Sequence, residues 1–202
     1  IVDIAAGKTQ TVVVTAKGTI FGLGKTLTGE LSSITNAVKA AVGNGYILIL
    51  TSDGNVFKYE SGKATQISQI SNAIDISVVN DVNMYQDKDL NVYTWGDNSN
   101  GQLGNNSKID VTDPSKVYEN SFTLAAGYNN SYIIKTSGEV YASGKNTYGA
   151  LGNSVRDDSQ EYVLVGNREF DISPASKIMT VNDVEKINIS SNSFNAFNAN
   201  TK

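Results

Sequence analysis

Six carboxylates, Asp97, Asp110, Asp113, Asp157, Asp158 and Glu161, are the side chains with which this sequence could attempt general acid–base chemistry. A glycosidase-like pair needs only two of them, about 5 to 9.5 Å apart, but none of the six stands in a recognisable motif. Histidine and cysteine are both absent from the 202 residues. That removes Ser-His-Asp and Cys-His nucleophiles, disulfides, thiolate chemistry and zinc-cysteine or histidine sites together. The run Asp97-Asn98-Ser99-Asn100-Gly101 has the beginnings of a calcium loop, yet it lacks the alternating carboxylates and the closing bidentate glutamate. The sequence therefore reads as no enzyme, with no catalytic residue, no metal site and no cofactor.

Binding chemistry is better represented. Tyr128, Asn129, Asn44, Asp81, Tyr148 and Phe194 are the residues expected to meet a partner, since tyrosine offers contact area at little entropic cost and asparagine adapts its hydrogen bonds. A formal net charge of −4 without a Lys/Arg cluster lacks the basic stripe that phosphate binding needs, so no nucleic acid is expected. No apolar run approaches the roughly 20 residues of a spanning helix, and no membrane insertion is expected either. The partner class that remains is another protein.

Those six positions are not scattered, because the chain repeats itself. Ile4-Ala5-Ala6-Gly7 leads to Gly18-Thr19-Ile20-Phe21, and Ala40-Ala41-Val42-Gly43 leads to Gly54-Asn55-Val56-Phe57, 36 residues further on. A third copy runs from Ile76 to Leu90-Asn91-Val92-Tyr93, with Leu90 where the glycine should stand. The fourth runs from Leu124-Ala125-Ala126-Gly127 to Gly138-Glu139-Val140-Tyr141, and a fifth starts at Ile189. Repeats beginning near 4, 40, 76, 124 and 189 imply one segment spanning 1–202, in which each unit buries its apolar face only against the next. Because the sequence opens on Ile1 at a first strand and stops midway through the fifth unit, it is expected to be a piece of a longer chain.

Each unit divides into strands. A short small-residue segment such as Ala5-Ala6 precedes an apolar, β-branched one such as Val12-Val13-Val14. A glycine turn then leads to a third strand such as Ile20-Phe21, as hairpins do. A less regular fourth strand, Ser115-Lys116-Val117 or Glu161 to Val165, closes the unit. Four antiparallel strands per repeat make a propeller blade. Alanine and serine suit the crowded inner strand, while Val12, Val14, Ile47, Ile49, Ile133, Phe21, Phe57, Tyr93 and Tyr141 are expected to fill the gap between sheets about 10 Å apart.

The repeat resembles the RCC1 family. Trp95-Gly96-Asp97-Asn98-Ser99-Asn100-Gly101-Gln102-Leu103-Gly104 and Ser143-Gly144-Lys145-Asn146-Thr147-Tyr148-Gly149-Ala150-Leu151-Gly152 carry its Trp-Gly, Asn and Gly-Gln-Leu-Gly pattern. The short repeats are closer to the bacterial members, including a secreted β-lactamase inhibitor, and RCC1 repeats commonly carry a histidine where this chain has Gln10, Tyr46, Val82 and Asn130. The resemblance implies an all-β propeller of four-stranded antiparallel blades, about four blades plus the start of a fifth. It further implies a segment of a seven-bladed ring, with closure expected by missing chain, or else by self-association or as an unusual small ring. In the inhibitor, aromatic residues beside the repeat glycine bind the partner, which marks Tyr128 and Phe194. Asn98 and Asn146 are read as holding their own turns, and Trp95 as packing between blades.

The function expected is a non-enzymatic protein-binding module of a larger bacterial exported or surface protein, with an extracellular or cell-surface location. The alternative is a structural spacer without a ligand of its own. By resemblance, nucleotide exchange on a small GTPase stands further out, and by composition so does a carboxylate-based glycan enzyme. The longer connections 105–114 and 154–186 are either solvated decoration or outer elements that reach a partner.

Overall fold

The computed structural model describes residues 1–137, 139–147, 150–151, 159–166, 184–190 and 193–198, the last three stretches by their backbone alone except at Ser159. Strands β1 (Asp3–Ala6), β2 (Gln10–Val14), β3 (Ile20–Gly24) and β4 (Gly29–Leu31) form one sheet in chain order. The second sheet is β5 (Ala37–Val42), β6 (Tyr46–Thr51), β7 (Val56–Glu60) and β8 (Lys63–Gln66). The third is β9 (Ala73–Val79), β10 (Val82–Asp87), β11 (Val92–Gly96) and β12 (Val111–Tyr118). β13 (Ser121–Ala126), β14 (Asn130–Lys135), β15 (Val140–Gly144) and β16 (Ser159–Gly166) make the fourth, and β17 (Val184–Ser190) with β18 (Ser193–Asn198) a hairpin beyond it.

The four sheets share one register. Ile4 faces Val13, Ala40 faces Ile49, Ile76 faces Tyr85 and Leu124 faces Ile133 across their first two strands. Val13, Ile49, Tyr85 and Ile133 in turn face Phe21, Phe57, Tyr93 and Tyr141. First strands touch first strands in sequence, β1 on β5, β5 on β9, β9 on β13 and β13 on β17, so the small-residue strands sit where the sheets converge. This is the arrangement of propeller blades.

The core is layered between blades rather than gathered at one centre. Val12, Val14 and Ile20 of blade 1 meet Val42, Ile47 and Ile49 of blade 2. Leu48, Leu50 and Val56 meet Ile76, Tyr85 and Trp95 of blade 3; Val82, Met84 and Val92 meet Leu124, Ala126 and Ile133 of blade 4. Phe21 departs from the expected core, being 40% exposed, with Ile4 and Leu23 exposed beside it. Their repeat counterparts Phe57, Ala40 and Tyr59 pack into the layer between blades 1 and 2. Among the described residues no blade covers the equivalent face of blade 1, which is why Phe21 stays in solvent.

One joint repeats at the edge opposite the first-to-second-strand loops. Ala37, Ala73 and Ser121 open β5, β9 and β13, and their N–H groups donate to the carbonyls of Gly18, Gly54 and Leu90 in the preceding hairpin turn (3.2, 3.0 and 3.0 Å). The residue just before each, Asn36, Asn72 or Asn120, takes a positive φ of 55°, 56° or 57°. Its carbonyl accepts from Ser52, Lys88 or Thr136 in its own blade (2.9 Å each). Asparagine tolerates that conformation better than other non-glycine residues.

Candidate binding rim

At the other edge, the loops between first and second strands meet the connections that leave the third strands. The N–H of Lys25 donates to Thr9 O, that of Asp97 to Asp81 O and that of Lys145 to Asn129 O, at 3.0, 3.0 and 2.8 Å. Gly96 permits this closeness: it holds φ 110°, and a Cβ there would lie 1.8 Å from the Asp81 carbonyl. Side chains and backbone extend the joints along the rim. Asn44 Nδ2 donates to Asp81 Oδ2 at 3.3 Å, its N–H to Asn80 O at 2.9 Å, and Asn100 Nδ2 reaches Asn129 Oδ1 at 3.4 Å.

Three sequence-predicted site residues, Asn44, Asp81 and Asn129, thus lie along one line across blades 2, 3 and 4. Tyr128, beside Asn129, is 50% exposed. Tyr148 lies outside the described residues, and the Phe194 backbone pairs with Ile189 just past the β17–β18 turn, its side chain undescribed. Asn98 is fully buried: its Oδ1 accepts from Leu103 N–H and its Nδ2 donates to Asn105, Ser107 and Ile109. Asn146 repeats the first bond with Leu151, so both asparagines hold turns.

Between blades 2 and 3 the rim opens into a groove of about 460 Å³, inside the roughly 300–1,000 Å³ of typical ligand clefts. Tyr46, Leu48 and Trp95 line its buried part, and Ile67 and Val111 its partly exposed walls. The polar groups beneath are already satisfied. Tyr46 donates its hydroxyl proton to Asn83 Oδ1 (2.6 Å), and Asn83 Nδ2 donates to Asp81 O and Trp95 O (3.2 Å each). Burial, with the Asp81 carboxylate nearby, pushes the Tyr46 hydroxyl well above its ordinary pKa, so it stays neutral. Lys58 caps the Tyr46 ring at 4.6 Å and pairs with Glu60 at 3.0 Å.

Three carboxylates stand on this groove: Asp81, Asp110 and Asp113. One oxygen of each is held, by Asn44 Nδ2, by Asn98 N–H (2.9 Å) and by Gln69 Nε2 (3.1 Å). None of the three is ion-paired among the described residues. No group of three or more histidine, cysteine, aspartate or glutamate residues suited to a metal occurs among the described residues. From the sequence alone Asp110 and Asp113 are candidate acids and Trp95 is packing, and neither Lys58 nor Tyr46 is given a binding role. The usable signal is the long third-unit connection, which brings Asp110 to the start of β12 and places Asp113 and Pro114 on that strand beside the preceding blade.

The fold is that of a blade-repeat propeller. Residues 91–133 match the model of the regulator of chromosome condensation (RCC1) repeat, and residues 123–150 match a second model of that repeat; this stretch carries RCC1-type repeats, and the chain folds as a β-propeller. Prp20p from Saccharomyces cerevisiae, in a structure described with its binding to Gsp1p and histones, superposes with a TM-score of 0.71 at 17% identity, over 81% of this chain and 50% of that one. Human WBSCR16 gives 0.70 at 15%, over 84% and 54%, and yeast RCC1 bound to Kap60 gives 0.70 at 16%, over 81% and 48%. At such identities the likeness establishes the fold alone, and the chain spans about half the length of these relatives. A comparison with curated proteins finds no significant match.

Proposed function

We propose that this chain is a non-enzymatic protein-binding module that meets its partner through the rim of blades 2 to 4. The observation that carries the reading is the line of hydrogen-bonded loops from Asn44 through Asp81 and Asn100 to Asn129, with exposed Tyr128 beside it. Side chains fixed by a rigid scaffold lose little entropy on binding, and a tyrosine among adaptable amides has the composition of a recognition surface. Protein binding by structural relatives, Gsp1p and histones for Prp20p and Kap60 for yeast RCC1, supports the partner class. The setting belongs to the same proposal: a larger bacterial exported or surface protein, as the short 36-residue repeats suggest.

The test is capture from cells of the source organism on immobilised chain, followed by binding measurements on the captured protein. Tyr128→Ala and Asn129→Ala are expected to weaken the complex tenfold or more, while Lys63→Ala on the outer strand β8 leaves it unchanged. Equal capture by all three variants would refute rim binding and leave the spacer role.

A further inference from the structure

We infer that the groove between blades 2 and 3 takes an extended, basic peptide segment of the partner, an arginine or lysine next to an aliphatic or aromatic residue. This rests on the protein-binding reading of the rim and specifies what one part of it recognises.

Charge and shape together select that occupant. The apolar walls Leu48, Ile67, Val111 and Trp95 offer a place for one hydrophobic side chain. Around them Asp81, Asp110 and Asp113 carry three negative charges against one positive, Lys58, which Glu60 already neutralises. Each carboxylate is steadied through one oxygen and, among the described residues, has no cation on the other. A guanidinium entering the groove can bind those oxygens and stack on an aromatic face. An acidic segment would meet repulsion from three sides.

The occupant is held by side chains and not by strand addition. β12 is the outer strand of blade 3 and forms one wall through Val111, Thr112, Asp113 and Pro114. Proline has no N–H to offer an incoming strand, which blunts this edge against β-augmentation.

Trp95 is the only tryptophan in the chain and lies on the groove, so its fluorescence reports occupancy directly. The probes are three acetylated, amidated pentapeptides, Gly-Leu-Arg-Leu-Gly, Gly-Leu-Gln-Leu-Gly and Gly-Leu-Glu-Leu-Gly, titrated at 50 mM salt, with free arginine amide as a fourth ligand. The basic peptide is expected to shift Trp95 emission and to bind at least tenfold more tightly than the acidic one, with the margin shrinking at 0.5 M salt. Asp81→Asn with Asp113→Asn should bring the peptides within about twofold of one another while the melting temperature holds. Equal affinities in the wild type, or no Trp95 response to the basic peptide, would overturn the inference. Arginine amide binding as tightly as the peptide would also overturn it, by assigning the groove to a small cation. Failure here with partner capture still sensitive to Tyr128→Ala would remove the groove assignment and leave the rim reading standing.

Discussion

Leu90 occupies a position that the repeat gives to glycine elsewhere. Its φ of 65° matches the 74° of Gly18 and the 80° of Gly54, and the same turn bond from its N–H to Asp87 O is made at 3.0 Å. A left-handed conformation costs an ordinary residue about 1–2 kcal/mol, part of which glycine would forfeit through its larger unfolded-state entropy. Leu90→Gly is therefore expected to stabilise the chain by about 0.5–1 kcal/mol, a rise of about 2 °C in melting temperature; an unchanged or lower value would show that Leu90 earns its place by packing. The reverse change has another obstacle. At Gly54 an added Cβ would stand 2.8 Å from Asn72 Cα, so Gly54→Ala should cost roughly 2 kcal/mol or more.

Asp87 closes the same turn. Burial would raise the pKa of its carboxyl, but hydrogen bonds from the Asn91 side chain and N–H, the Tyr93 hydroxyl and the Asp89 N–H outweigh it and hold the group below the usual carboxylate range. A depressed folded pKa means that the stabilisation is complete above the unfolded value, about 3.9, and is lost as pH falls through the folded value. Urea midpoints should decline below about pH 4 in the wild type. In Asp87→Asn they should start lower at pH 7, by about 1–2 kcal/mol in stability, and show a shallower acid decline. Parallel curves would exclude Asp87 as a source of the acid sensitivity.

At the scale of the element, the unit of construction is a blade together with the asparagine that introduces the next one. Asn72 is pinned from both directions, since Ala73 N–H reaches back to Gly54 while the Asn72 carbonyl accepts from Lys88. Asn72→Ala is expected to cost about 1 kcal/mol because alanine tolerates positive φ poorly, whereas Asn72→Gly should stay within a few tenths; thermal melts of the pair separate backbone strain from loss of the amide. This joint also shows what the sequence discloses. The β strands and their common register were legible because valine, isoleucine and glycine recur at fixed spacing. The asparagine joint is just as regular, in Thr35-Asn36-Ala37, Ser71-Asn72-Ala73 and Glu119-Asn120-Ser121, but its spacing does not disclose the positive φ or the two carbonyls that the joint links. The rim line was partly legible from loop positions. The groove was not, since it depends on how far β12 of one blade leans over Leu48 and Lys58 of another, a distance that spacing along a chain does not encode.

At the scale of the whole molecule, layered packing makes stability a property of neighbours. Blades 2 and 3 are each covered on both faces: blade 2 by Val12 and Ile20 on one side and Ile76 and Tyr85 on the other. Among the described residues blade 1 is covered on one face only, with Ile4, Phe21 and Leu23 at 63%, 40% and 69% exposure on the open one. Burying a large aliphatic side chain is worth about 1.5–3 kcal/mol, so the open face removes several such contributions from β1 to β4 while leaving their hydrogen bonds intact. Local opening should follow that asymmetry. In amide hydrogen exchange of the 202-residue chain, β2 is expected to exchange at least tenfold faster than its counterparts β6 and β10, although the three share one register and β2 is as rich in valine as any strand in the fold. Leu23→Lys should leave that rate within twofold, because Leu23 is largely exposed, whereas Val14→Ala, which opens the layer shared with blade 2, should quicken exchange in β2 and β6 together. Uniform protection across β2, β6 and β10 would mean that blades stabilise themselves independently, and the neighbour-dependent account of this propeller would fail.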